Sequence, residues 1–145
     1  MTFADNRHAK FEYDIKDALE AGVELFGHEV KSIRAGHASL KGAYVVVKGG
    51  EAWLLNMHVT PYSKASASTL AGYDPTRSRK LLMHKSQIVK LLGEKDTKGL
   101  TIVPLSVYDS AGKIKVKVGV GRKRKTADKR EYLKEKDIAR ESREQ

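Results

Sequence analysis

Cysteine is absent from the 145 residues, which excludes disulfides, thiolate zinc sites, iron–sulfur clusters and cysteine nucleophiles. Long apolar runs are also missing. The longest are a few residues, such as Ala43–Val47, whereas a membrane-spanning helix needs ~20. The first ten residues are polar and no apolar segment follows them, so no secretory signal is expected. The five histidines (His8, His28, His37, His58, His84) form no HxxxH or HExxH pair, and no metal site is expected. There is no GxxxxGK[ST] loop, no GxGxxG opening a helix and no GxSxG elbow. Gly119-Val120-Gly121 leads into a basic run and reads as a strand end. Glu20, Glu24 and Glu29 read as solvent-facing or structural. Nothing calls for catalysis or a cofactor, and the expectation is a soluble, basic, intracellular globular protein, cytoplasmic and monomeric.

What the chain has is positive charge, +10 overall with 40% hydrophobic residues, enough for the core of one domain. The excess is concentrated. Residues 122–130 hold six basic groups (Arg122, Lys123, Arg124, Lys125, Lys129, Arg130) against Asp128. Residues 60–85 hold Lys64, Arg77, Arg79, Lys80 and Lys85 against Asp74. Lysine and arginine displace condensed counterions from phosphates, so two separated foci on a small domain point to a structured nucleic acid.

The hydropathy pattern is mainly β. Lys113–Val120 alternates strictly: Ile114, Val116, Val118 and Val120 share one face, and Lys113, Lys115 and Lys117 the other. With Leu100–Tyr108 it forms a hairpin around Asp109–Gly112. Gly49-Gly50 joins a second hairpin, Ala43–Lys48 with Glu51–His58. Lys10–Leu25 has strand character interrupted near Lys16–Leu19, and Arg79–His84 is a further strand. Short helices are expected at His28–Arg34 and from a Ser86 cap to Gly93. Residues 1–10 read as a loose leader and Pro61–Thr76 as a long loop. The body, residues 1–121, is thus expected to be a small antiparallel barrel with two or three short helices. Residues 122–145 lack a continuous apolar stripe and are expected to be disordered alone.

Several stretches, in order, resemble the SsrA-binding protein family, also called small protein B. They include Asn6-Arg7-His8-Ala9, Tyr13-Asp14-Ile15, Glu20-Ala21-Gly22, and the run Gly27-His28-Glu29-Val30-Lys31-Ser32-Ile33-Arg34-Ala35-Gly36. Asp74-Pro75-Thr76-Arg77, Arg79-Lys80-Leu81-Leu82, Lys98–Leu105 and Asp128-Lys129-Arg130 continue the series. The resemblance implies an OB-like β-barrel with flanking helices and a tail that becomes helical on the ribosome. It implies binding to the tRNA-like domain of transfer-messenger RNA (tmRNA), help with its aminoacylation, and delivery to stalled ribosomes with elongation factor Tu and GTP.

By the same similarity Asn6, Glu20, Leu82 and Lys115 match positions linked to RNA recognition. Glu20, acceptor-only when ionised, would meet a base amino or 2′-OH group, or else bond a neighbouring strand. Leu82 would press on a splayed base or pack in the core. Lys115 and Lys117 belong to the outward lysine row, and Arg34, Arg77 and Lys80 are further phosphate contacts. Tyr62 and Trp53 are candidate stacking residues, with a core role preferred for Trp53. The tail residues Arg122, Lys123, Arg124, Lys125, Asp128, Lys129 and Arg130 would enter the empty messenger channel near the decoding centre. Two departures stand out: Lys123 replaces the family's usual glycine, and Ala127 its usual tyrosine or histidine. Two alternatives accompany this reading: an OB-type ribosomal or RNA-chaperone protein, and an RNA-processing hydrolase using Glu20 or His58.

Overall fold

The strict alternation of Lys113–Val120 builds the centre of the sheet. In the computed structural model, which describes residues 1–144, strand β9 (Lys113–Lys123) pairs antiparallel with β8 (Thr101–Ser110) on one side. On its other side it pairs with β2 (Tyr13–Val23). Val116, Val118 and Val107 are fully buried between the sheet's own curled faces. Period-two geometry sends Lys115 and Lys117 to the opposite face, as expected.

The remaining strands are β1 (Thr2–Asp5), β4 (Tyr44–Lys48), β5 (Glu51–Leu55) and β7 (Arg79–Leu82). They complete a seven-stranded sheet in the order β1-β8-β9-β2-β7-β5-β4. Two short strands, β3 (Ala38–Ser39) and β6 (His58–Val59), pair separately. The sheet curls until β4 lies near β8, yet no backbone ladder joins them, so the expected barrel is an open one. Helix α2 (Gly27–Arg34) caps the core with Ile33, and α4 (Lys85–Asp96) with Ile88 and Leu91. The interruption expected near Lys16 is a bulge: the register with β9 shifts between Ile15 and Asp17.

Four local expectations need correction. The leader is structured, because Phe3 and Ala4 join the core and β1 pairs with β8, about a hundred residues away. A short helix, α1 (Arg7–Glu12), then buries Ala9 against Val103 and Leu105. The long loop contains one turn of helix, α3 (Ala67–Leu70), capped by Ser66. Helix α4 starts one residue before Ser86, where the Gln87 carboxamide oxygen accepts from the His84 amide at 3.0 Å, and it runs through Gly93. A glycine costs a helix only ~1 kcal/mol, and the packing of Ile88 and Leu91 outweighs that.

The tail, expected to be disordered alone and helical on the ribosome, forms helix α5 (Thr126–Glu144). Its sequence is rich in Glu, Lys and Arg, good helix formers, and its first turns dock on α1 through Tyr132 and Phe11, ring centroids 6.3 Å apart. Gln145, the last residue of the expected tail, lies outside the described residues.

Candidate nucleic-acid interface

The outer face of the sheet is set by register. Gly22 of β2 lies opposite Leu82 of β7 on one side and Lys115 of β9 on the other, and Glu20 lies opposite Lys117. Residues two apart share a face, so Glu20, Gly22, Lys115, Lys117 and Leu82 come to one surface. Gly22 carries no side chain there: an added Cβ would sit 3.1 Å from the Leu82 Cβ. The gap is the floor of an open groove of about 610 Å³, walled by Lys80, Leu82, Lys115, Glu20 and the start of α4 at Lys85 and Gln87. A second groove of about 400 Å³ shares Gly22, Leu82 and Lys115 and extends to Arg34 and Lys113. Leu82 is 51% exposed, so the core alternative for it is discarded.

The polar groups in these grooves are partly tethered. The Tyr108 hydroxyl donates to Glu20 Oε2 at 2.6 Å. Partial burial, and next this bond to a carboxylate, push the Tyr108 hydroxyl up to about 12. Glu20 Oε1 has no partner among the described residues. Lys80 pairs with Glu51 at 3.0 Å, and that bond raises its pKa above the ordinary lysine value. Arg34 is aimed by Asp109, at 3.1 Å, and by the Gly112 carbonyl, at 3.0 Å. Lys115 lines both grooves and Lys117 stands exposed beside them.

Two expected contacts lie elsewhere. Asn6 is buried at the start of α1, where its Nδ2 donates to the Pro104 carbonyl at 2.8 Å and its Oδ1 accepts from the Ala9 amide at 3.2 Å. Arg77 is committed to Glu29, a fully buried carboxylate. Glu29 also accepts from Arg79 at 2.6 and 2.8 Å, from the Tyr73 hydroxyl at 2.9 Å and from the Phe26 amide at 2.8 Å. Burial pushes the Glu29 carboxyl up. Hydrogen bonds from Arg77, the Phe26 amide and Arg79, with the Arg79 charge, prevail and hold it at about 2. Arg79 is itself fully buried and donates further to the Met57, Arg77 and Pro75 carbonyls. Arg79 begins β7, so this network fixes the strand that presents Lys80 and Leu82.

The sequence signal for Arg79 was a surface cation in a basic cluster; nothing local distinguishes it from Lys80. No local pattern marks His84, Lys85 and Gln87 as groove residues, although Lys85 belongs to the second basic focus. Tyr62 and Trp53 are half-buried, neither being lost in the core.

At the tail, Arg122 and Lys123 end β9 and are exposed, as are Lys125 and Arg130. Asp128 accepts from the Lys125 amide at 3.3 Å and so opens α5. Arg124 lies 4.3 Å over the Tyr132 ring, and Lys129 pairs with Glu12. Among the described residues no group of three or more His, Asp or Glu is arranged to hold a metal ion, and no helix is long and apolar enough to cross a membrane.

A family model described as SmpB protein matches residues 3–145. An SsrA-binding protein from Synechococcus sp. (strain JA-2-3B'a(2-13)) is 49% identical over 140 residues, covering 97% of this chain and 90% of the relative. An SsrA-binding protein from Microcystis aeruginosa (strain NIES-843 / IAM M-2473) is likewise 49% identical over 140 residues, covering 94% of this chain and 90% of the relative. Among solved structures, a chain described under "tmRNA-SmpB: a journey to the center of the bacterial ribosome" is similar with a TM-score of 0.68 and 41% identity. It covers 89% of this chain and 92% of that one.

Proposed function

From the SmpB family, to which this chain belongs, we propose a function: an RNA-binding adaptor of trans-translation that binds tmRNA and delivers it to stalled ribosomes. The observation that carries the reading is the convergence of Lys115, Lys80, Leu82 and Glu20 around Gly22 on one exposed sheet face. Folded RNA is recognised by shape, phosphates, 2′-OH groups and unstacked bases, and OB-type sheets bind nucleic acid on such a face. Lys115, Lys117 and Arg34 neutralise phosphates. Leu82 packs on an unstacked base of the tRNA-like domain. Glu20, held by Tyr108 through one oxygen, accepts from a 2′-OH or base amino group with the other. Asn6 and Arg77 serve by building α1 and the network around Glu29, their side chains being engaged there.

The protein performs no chemistry of its own in this reading. It presents the acceptor arm for aminoacylation, and the charged RNA travels with elongation factor Tu and GTP in the cytoplasm. The basic start of the tail (Arg122, Lys123, Lys125, Arg130) and α5 occupy the messenger channel of a ribosome that has run out of message. A channel already filled excludes them sterically. Stacking by the family's usual aromatic is replaced at Ala127 by charge alone.

The test is reconstituted tagging of a nascent chain on a message without a stop codon. The full chain is expected to support tagging. A variant ending at Arg124, which leaves β9 whole, is expected to keep tmRNA binding and lose tagging. Equal tagging by both would contradict the tail's role.

A further inference from the structure

Phe26, His28 and Tyr73 form a cluster of rings that belongs to neither hydrophobic core. Phe26 stands between β2 and α2 and is 51% exposed, a large apolar ring left at the surface. The Arg77 guanidinium lies 4.0 Å from its ring centroid, held there by Glu29 and by the Glu24 carbonyl at 3.3 Å. The His28 ring stacks on Phe26, with centroids 5.6 Å apart and 29° between the planes. Tyr73 meets His28 edge-on at 4.7 Å and is fixed by its hydroxyl, which donates to Glu29 at 2.9 Å. Together with Thr69, Ala71 and Gly72 these rings line an open pocket of about 380 Å³.

The pocket is flat-walled and rich in π surface, with one spare polar side chain. The Thr69 hydroxyl is bonded to Ser66 at 2.8 Å and the Tyr73 hydroxyl to Glu29. The His28 ring makes no hydrogen bond among the described residues. Its Nδ1 is buried, which leaves Nε2 to meet a ligand. An aliphatic side chain of a protein partner would cover that nitrogen without bonding it, which is unfavourable. A nucleobase instead brings a π-face to the rings and donors and acceptors at its edge, and unpaired bases are held by stacking on aromatic and guanidinium planes. The pocket also adjoins the groove face. The Glu24 amide donates to the Lys80 carbonyl at 2.9 Å, Leu25 lines the second groove, and the next residue, Phe26, lines the pocket. A chain of net charge +10 suits a polyanion there.

We infer that this pocket is a base-binding site: an unstacked RNA base packs against the Phe26 and His28 rings, stiffened by Arg77 and Tyr73, and bonds the imidazole edge. The base comes from tmRNA or from ribosomal RNA, and its chemistry is the same in either. The site adds to the RNA-binding role proposed above and rests on it, although binding of a short oligonucleotide can be measured apart from that role.

The test begins with an NMR titration of the five histidine rings with a hexa-adenylate RNA, His28 being assigned by the signal lost in His28→Gln. Stacking tolerates any base, so adenine serves as the probe. The His28 ring signals should shift in the parent, and less than about half as far in Phe26→Ala. No shift at His28, or an equal shift in Phe26→Ala, overturns the inference. With intact RNAs, Phe26→Ala should lower affinity about tenfold, either for the tRNA-like domain of tmRNA or for ribosomes free of tmRNA, according to which supplies the base. The slope of log affinity against log salt should not change, because stacking releases no counterions. Phe26→Trp should keep the parent's affinity. Unchanged affinity for both RNAs, or a lower slope, which marks a phosphate contact, overturns the site. So does reduced tagging with both affinities intact, which would make the partner a protein. The Phe26 ring lies outside the core, so Phe26→Ala should melt close to the parent; where it does not, the titration of the parent still decides. A parent with no preference for tmRNA would sink the proposed function and leave the hexa-adenylate result standing.

Discussion

Lys115 is the one cation that borders both grooves, and its neighbours Gly22 and Leu82 give it no ionic partner within the described residues. Lys115→Ala should therefore weaken RNA binding and lower the slope of log affinity against log salt by about one unit. An unchanged slope in a binding titration across salt concentrations would remove Lys115 from the interface. Glu29 acts differently, through stability. Its carboxyl is held at about 2 in the folded chain against 4.5 ordinarily, so the folded state binds fewer protons. That contribution is fully present above about pH 4.5 and disappears as pH falls through 2. Urea denaturation should show stability declining across that window. Glu29→Gln leaves Arg77 and Arg79 without their anion and should lose about 3–5 kcal/mol at neutral pH, with a flatter acid profile. An unaltered midpoint would contradict the buried network. Little of this was legible at the level of single residues. Lys115 and Lys117 were, because strand alternation announces a side chain's face. Glu29, Arg77 and Arg79 were not, because the partners stand 48 and 50 residues apart and meet only once β7 is laid beside the core.

Elements with an internal period were readable, and elements that depend on a distant partner were not. Strand β9 declares itself by four inward aliphatic residues in a row of alternate positions, and the Gly49-Gly50 hairpin by its turn, where both residues take positive φ of 61° and 75°. Strand β1 has only four residues and no alternation that stands out; its order comes from β8. Helix α5 was expected only on the ribosome because its exposed face carries no apolar stripe, and its docking rests on Phe11, Glu12 and Tyr132. Close strand approach makes a separate prediction. At Gly121 an added Cβ would lie 2.6 Å from the Asp14 carbonyl oxygen, a backbone atom that moves only if the β2–β9 ladder moves. Gly121→Ala should cost roughly 1–3 kcal/mol and lower the thermal midpoint. A melting curve identical to the parent's would show that the strands are not so close.

At the scale of the molecule, class and electrostatics were evident from composition: a mainly β body and a +10 charge gathered in two places. Closure was not, because whether β4 pairs with β8 depends on sheet curvature that no residue pattern encodes. The charge alone promises affinity for any polyanion, with strong salt dependence. Selectivity has to come from the shape of the face around Gly22, where hydrophobic Leu82 and acceptor Glu20 sit among cations and would be useless against a bare phosphate rod. The measurement that separates these is the affinity of the full chain for the tRNA-like domain of tmRNA against that for an elongator tRNA, by filter binding at one fixed salt concentration. A preference for the tmRNA domain of at least about tenfold, or 1.4 kcal/mol, is predicted. Equal retention of the two RNAs would contradict it.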